Sequence, residues 1–331
     1  IATSPDIPSP QEAKKIAEKI GFILRATKKV KRGIGTIRQD LNVSIKEGNR
    51  VEIKGVQELN DIPKILENEV RRQLELVEVA RKLKGVKADD IEKQEIEDVS
   101  NIFKKTQCKF IKKALKNGKV LAIKLPGFAG LIGGVKYREH RLGKEFAMHA
   151  KIEGGGIIHS DELPAYGISE NELKEVKKLL GCNEKDAFVI SVGNENIAKN
   201  CLEAVKRRAL QALEGVPKEV RRALPDGFTE YMRPMPTAAR MYPETDVPPI
   251  KITNERLEKI RKSLPEMPEK RIERMSKEYE ISYEEAKQLV YGGRDDLFEE
   301  LVKKYRYERV VARILLNVVA EMEKEGYDID I

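Results

Sequence analysis

The chain runs to 331 residues, past the roughly 250–300 at which one hydrophobic core gives way to several, so two or three domains are expected. Hydrophobic residues at 40% can fill real cores, and charged residues at 36%, of both signs and interspersed, favour a folded, ion-paired surface over a disordered tail. The net charge of +8 admits an anionic partner without requiring one, while three widely spaced cysteines exclude a disulfide framework and a zinc pattern. No apolar run approaches the roughly 18 residues of a membrane span, and no secretory signal opens the chain. The expectation is a cytoplasmic protein with no membrane partner. Abundant Lys and Glu without Trp suit a protein built for high temperature.

Ile1-Ala2-Thr3-Ser4-Pro5 reads as an extended segment met in mid-course, and Ile331 follows directly on a helix, so a fragment is expected. Ser9-Pro10-Gln11-Glu12 starts a helix with an N-cap, a proline and an acidic first turn, and Ile16, Ile20, Ile23 and Leu24 carry it to about Thr27. After a basic loop, residues 36–45 alternate. Ile37, Leu41, Val43 and Ile45 take one face, and Arg38, Asp40, Asn42 and Ser44 the other, with Gln39 the one lapse. The turn Glu47-Gly48-Asn49 leads to a second strand over 50–54, completing a hairpin. A long helix is predicted from about Asn60 to Lys84 and an acidic helix over 89–99.

An α/β unit follows to about Glu214, with strands over 120–125 and 187–192 and helices over 110–115, 170–180 and 195–213. Residues 215–249 are proline-rich and read as an irregular return path across a domain boundary. From Thr253 the pattern is helical throughout. Ser282 with Glu285 forms a capping box, and the last helix covers about 308–324.

Asp and Asn are depleted from strands, yet Asp40 and Asn42 share a face with Arg38 and Ser44, and Glu52 and Lys54 can join them. A carboxylate, an amide and cations on a rigid sheet can hold Mg²⁺ and a triphosphate; they also suit a solvated strand face. Arg240, Tyr242, Glu244 and Asp246 lie in a proline-stiffened loop that either lines a site or merely connects. Residues 126–134 lack the spacing of a phosphate-binding loop and read as a tight turn. His159, Ser160 and Asp161, adjacent in sequence, read as structural or capping residues rather than a catalytic triad. Lys206, Arg207, Arg208, Arg221 and Arg222 form a stripe that either tracks phosphates or faces solvent.

Several segments resemble the archaeal glutamyl-tRNA(Gln) amidotransferase family GatE, which is related to the bacterial GatB proteins. They are Ile1 to Ile7, Gly35-Thr36-Ile37-Arg38-Gln39-Asp40-Leu41-Asn42-Val43-Ser44-Ile45, Val51-Glu52-Ile53-Lys54-Gly55 and Arg240 to Pro249. Leu125 to Leu131, Arg141 to Ala147 and Asp161 to Ile168 resemble an insertion shared with bacterial aspartyl-tRNA synthetases. The resemblance covers essentially the whole chain.

It implies an α+β chain in four parts. These are a catalytic-domain remnant with antiparallel strands and long helices (1–100), an inserted α/β synthetase-like domain (101–215), a return to the catalytic domain (216–250) and an all-helical domain (251–331). It implies that ATP and Mg²⁺ activate the side-chain carboxylate of Glu on tRNA(Gln). Ammonia from an asparaginase-like partner subunit (GatD) then displaces phosphate. Asp40 becomes the implied metal ligand and catalytic residue with Asn42 and Arg38. Glu52, Lys54 and Ser44 fall to the cofactor, and Arg240, Tyr242, Glu244 and Asp246 to the substrate. By the same likeness the family's catalytic domain begins upstream of Ile1 and a tRNA-gripping domain follows Ile331, so this piece alone is expected to be inactive.

Two other readings compete. A non-catalytic tRNA-docking module predicts a contiguous positive stripe, with residues 38–54 far from 240–249. A piece of an aspartyl-tRNA synthetase needs class-defining motifs outside the insertion, and none is present.

Overall fold

The computed structural model describes residues 1–31, 33, 35–236 and 248–327. The chain is a mixed α+β protein of two compact units: Ile1–Gln11 with Gln39–Tyr242, and Glu12–Arg38 with Pro243–Ile331.

The first unit holds two four-stranded sheets. Strands β1 (Leu41–Val43) and β2 (Val51–Lys54) pair antiparallel, as the alternation predicts. Strand β1 is shorter than expected, because residues 36–40 make no ladder. Helix α2 (Ile62–Lys82) follows, with Pro63 in its first turn. The acidic stretch after it differs from expectation. Only Ala88–Glu92 is helical (α3), and Ile96–Asp98 forms strand β3.

Next come helix α4 (Lys109–Ala114), strand β4 (Lys119–Leu125), helix α5 (Leu142–Ile152), strand β5 (Ile157–His159) and helix α6 (Glu170–Leu179). Strand β6 (Ala187–Gly193) and helix α7 (Glu195–Glu214) complete this sheet and its cover. The sheet order is β3-β4-β6-β5, antiparallel throughout. Helices α5 and α7 cover one face and α4 and α6 the other, which explains why β4 and β6 read as nearly unbroken apolar runs. Where β4 begins, a Cβ on Gly118 would lie 2.2 Å from the Gly193 carbonyl, so no side chain fits there.

The supposedly irregular return path contains two strands, β7 (Glu219–Ala223) and β8 (Thr229–Pro234), joined through Pro225-Asp226-Gly227. Strand β7 lies parallel to β2, giving the order β1-β2-β7-β8. The chain leaves this sheet after β2, builds the other sheet, and returns to the strand next to the one it left.

In the second unit, helix α1 (Pro10–Ala26, from Glu12 onward) groups with the C-terminal helices: Phe22 stacks on Tyr291 with centroids 4.1 Å apart. Helices α8 (Asn254–Lys262), α9 (Pro268–Glu278), α10 (Tyr283–Gly292), α11 (Asp295–Tyr305), α12 (Glu308–Arg313) and α13 (Val319–Lys324) follow; a π turn over 314–318 joins the last two. Their core includes Ile272, Met275, Leu289, Phe298 and Leu315. Thr253 caps α8, and the predicted Ser282–Glu285 capping box is present. No helix among the described residues is long and apolar enough to cross a membrane.

Candidate functional site

The β1-β2-β7-β8 sheet turns Val43, Val51 and Ile53 inward and a polar face outward. On that face Lys54 Nζ lies 2.6 Å from Asp40 Oδ2 and 2.7 Å from Glu52 Oε1. Hydrogen bonds that Lys54 donates to Asp40, then to Glu52, hold its ammonium above its usual pKa, so it stays charged. Asn42 sits opposite Glu52 in the ladder and is exposed. Across the parallel join Lys54 pairs with Arg222, and Arg222 pairs with Glu230, to which its guanidinium is salt-bridged. One row of charges therefore runs from Asp40, just before β1, across β2, β7 and β8 through Lys54, Arg222 and Glu230.

Of the residues predicted for the site, Asp40, Asn42, Glu52 and Lys54 share this face. Ser44 is exposed just past the end of β1. Arg38 is exposed and belongs to the other compact unit. Arg240, Tyr242, Glu244 and Asp246 lie outside the described residues.

Sequence reasoning passed over Glu230 and used Arg222 only as part of a basic stripe. The signal available was Pro225-Asp226-Gly227, a turn sequence with a physical mechanism, which marks a hairpin inside the stretch read as irregular. The stripe itself dissolves: Arg208 and Arg221 are fully buried, Lys206 donates to the Gln94 carbonyl, and Arg207 pairs with Glu153. The triad-like run is structural, as expected. The Asp161 carboxylate accepts the backbone N–H groups of Gly130, Ile132 and Gly133 at 2.8–3.0 Å, and Glu162 accepts from the His159 N–H.

The polar face rests on a buried ionic network that sequence reasoning missed. Glu69 and Arg72 of α2, Glu145 of α5, Arg208 of α7, and Glu219 and Arg221 of β7 are all buried. Three carboxylates and three guanidiniums make the group formally neutral. Glu145 faces Arg72 at 3.1 Å, Arg221 at 3.1 Å and Arg208 at 3.3 Å. Burial pushes its carboxyl up, but Arg221, Arg72 and Arg208 together outweigh that and hold it well below the usual range. Arg72 also pairs with Glu69 at 2.9 Å and Glu219 at 3.3 Å. Gln73 carries the network outward. Its amide donates to Glu69 and to the Val43 carbonyl, and its oxygen accepts the Ile45 N–H. Strand β1, with Asn42 on its outer side, is thereby tied to helices α5 and α7. The Glu75 carboxylate adds a second tie, accepting the N–H groups of Val135, Lys136 and Tyr137 at 2.5–2.7 Å.

His149 borders the network, stacked on Tyr231. Burial first, and Arg208 next, push its pKa from 6.5 down to about 4. In the unfolded chain it binds a proton near pH 6.5, whereas in the fold it stays neutral until about pH 4. It therefore contributes stability that is fully present above pH 6.5 and is lost as pH falls toward 4. Between pH 6.5 and pH 5 the loss is about 1.5 kcal/mol at most. Burial lowers His140 and His159 in the same direction. Urea unfolding of wild type and His149→Phe at the two pH values checks this: the variant should lose clearly less stability on acidification, and equal losses would clear His149 of the effect.

Among the described residues no group of three or more His, Cys, Asp or Glu is placed to hold a metal. Asp40 and Glu52 nevertheless converge on one cation, the Lys54 ammonium. Two carboxylates completed by ligand oxygens are the donor set that Mg²⁺ accepts, so these residues fit that ion in kind.

Comparison with known proteins bears on this face directly. The family described as GatB/GatE catalytic domain matches residues 1–258, which include all four strands of the sheet. The chain belongs to that family. The E subunit of the glutamyl-tRNA(Gln) amidotransferase of Pyrococcus abyssi is 54% identical over 98% of this chain and 52% of its own length. The protein of the same name from Methanocaldococcus jannaschii is 51% identical over 100% of this chain and 53% of its own length. The chain thus spans about half the length of the curated relatives it matches. The family match also runs through residues 96–214, so the second sheet lies within the matched region.

Proposed function

We propose that this chain is part of a tRNA-dependent amidotransferase subunit that converts Glu on tRNA(Gln) to Gln with ATP. The observation that carries the reading is the convergence of Asp40 and Glu52 on the charged Lys54, within a sheet matched by the GatB/GatE catalytic domain family. The relatives' shared name supports the substrate.

A carboxylate does not react with ammonia until one of its oxygens becomes a good leaving group, and an acyl phosphate supplies one. Asp40 and Glu52, together with nucleotide phosphates, would hold Mg²⁺, which when bound would supply charge compensation for the transferring phosphoryl group. Lys54 binds and orients phosphate oxygens as a fixed positive charge on a rigid strand. Asn42, opposite Glu52, offers an amide that both donates and accepts, suited to positioning the substrate carboxyl. In this reading residues 101–215 are the synthetase-like insertion, residues 251–331 a helical domain, and ammonia arrives from an asparaginase-like partner subunit.

The test uses the protein carrying this chain at its full natural length, with its ammonia-supplying partner. Glu-tRNA(Gln) is supplied with and without ATP. Formation of Gln-tRNA(Gln) with stoichiometric ADP, and none without ATP, is expected. Tight tRNA binding with no amidation under any condition would favour the docking-module reading instead.

A further inference from the structure

Asp and Glu make up 55 of the 331 residues, yet none lies between Asp98 and Glu139. Lys104, Lys105, Lys109, Lys112, Lys113 and Lys116 all fall in that gap and all are exposed. Their orientation follows from what the same segment buries. Phe103, Cys108 and Ile111 are fully buried in the core beneath the second sheet, which fixes the short 3-10 turn Ile102–Lys105 and helix α4 against it. Lys109, Lys112 and Lys113 stand at helical offsets of three and four within α4, so they share its outward side, and Lys116 is exposed in the turn that follows.

What sets this lysine cluster apart is the acid-free stretch it lies in; at the edge of that stretch, where acidic partners are at hand, Lys119 bridges Asp98 and Glu195. Among the described residues, none of the six has a carboxylate within 4.0 Å; Lys112 reaches only the Gln107 side-chain oxygen, at 3.3 Å. Helix α6, packed beside the 3-10 turn, carries both signs (Lys174, Lys177 and Lys178 with Glu170, Glu172 and Glu175), whereas residues 104–116 carry lysines alone. Like charges at four-residue spacing weaken a short helix; the segment keeps them uncompensated.

We infer that this lysine face docks the phosphate backbone of the tRNA, at a place separate from the Asp40–Lys54 site. The inference rests on the proposed reading that tRNA is the substrate. Charge complementarity with a polyanion selects the partner. Protein interfaces are depleted in Lys and enriched in aromatics and Arg, and a membrane-seated surface needs a broad apolar face. Here the stretch that carries the six lysines exposes one aromatic ring, Phe110. Lysine supplies three donors, no acceptor and no preference for a base, which suits backbone positioning rather than sequence readout.

The test is tRNA(Gln) binding by the full-length protein with its partner, measured from 50 to 400 mM KCl. A variant with Lys→Gln at all six positions is compared with one carrying Lys→Arg at the same six. Removing one lysine–phosphate pairing lowers the slope of log K against log salt by about one. For the glutamine variant a slope reduced by about two or more, binding weakened at least tenfold near 100 mM salt, a raised KM and an unchanged kcat are expected. The arginine variant should retain wild-type affinity and slope. An unchanged slope and Kd in the glutamine variant would overturn the inference. So would dissociation of the partner subunit with tRNA binding intact, which would reassign the face to protein. Failure of the wild-type complex itself to bind tRNA would instead remove the functional reading and this inference with it.

Discussion

Replacing Glu145 with alanine is expected to cost about 3–5 kcal/mol of unfolding free energy in the sheet-bearing unit. The carboxylate faces three guanidiniums, of Arg72, Arg221 and Arg208, at 3.1, 3.1 and 3.3 Å. Arg208 is the most vulnerable to its removal. Glu145 is its one ion-pair partner among the described residues, and its Nε and Nη1 already lack hydrogen bonds. A guanidinium cannot shed its proton to escape burial, so removing Glu145 leaves an uncompensated charge in the interior. Breaking one side of a buried pair is costly in this way even when the intact pair stabilises little against apolar substitutes. At about 2–4 °C per kcal/mol for a unit of this size, the melting temperature should fall by about 10 °C. Glu145→Gln keeps the volume but not the charge, and should fall between wild type and alanine. Urea or thermal unfolding decides it. A change below about 1 kcal/mol would mean that water or neighbouring groups already screen the network.

The same network explains what was legible in the sequence and what was not. Alternation over residues 36–45 and a second strand over 50–54 exposed the hairpin and its polar face, which the structure forms from 41–43 and 51–54, because a period of two allows only one way to place Val43, Val51 and Ile53 inside. The caps at Ser9, Thr253 and Ser282 marked helix starts within a residue or so, because they are local chemistry. Partnership across distance was not legible. Glu69, Arg72 and Glu75 look like the surface pairs of any charged helix, and only the return of β7 beside β2 makes the inside of α2 a place for ions. Strand β3 was hidden in an acidic run, Ile96-Glu97-Asp98, whose propensity argues against a strand. Pairing with the buried strand β4 overrides that propensity. The loop over 240–246, which the sequence offered as a second half of the site, lies outside the described residues, so the case for the site stands on the sheet face.

That face leads to the larger expected effect on activity. In the full-length protein, Asp40→Ala should lower ATP-dependent amidation by about 100-fold or more, the scale seen when one electrostatic interaction with developing charge is removed, while tRNA affinity stays within about twofold. Asp40 is exposed and outside both cores, so folding should change by no more than about 0.5 kcal/mol. The variant therefore reports on chemistry rather than stability. Asp40→Asn separates its two roles. The amide oxygen can still accept from Lys54 and hold it near Glu52, but the negative charge that would bind a cation is gone. If Asp40 serves mainly as a cation ligand, Asn and Ala should be equally inactive, and raising Mg²⁺ should not rescue either. If it serves mainly to aim Lys54, Asn should recover most of the rate. Full activity in both variants would remove Asp40 from the site altogether, and with it the convergence of two carboxylates on one cation.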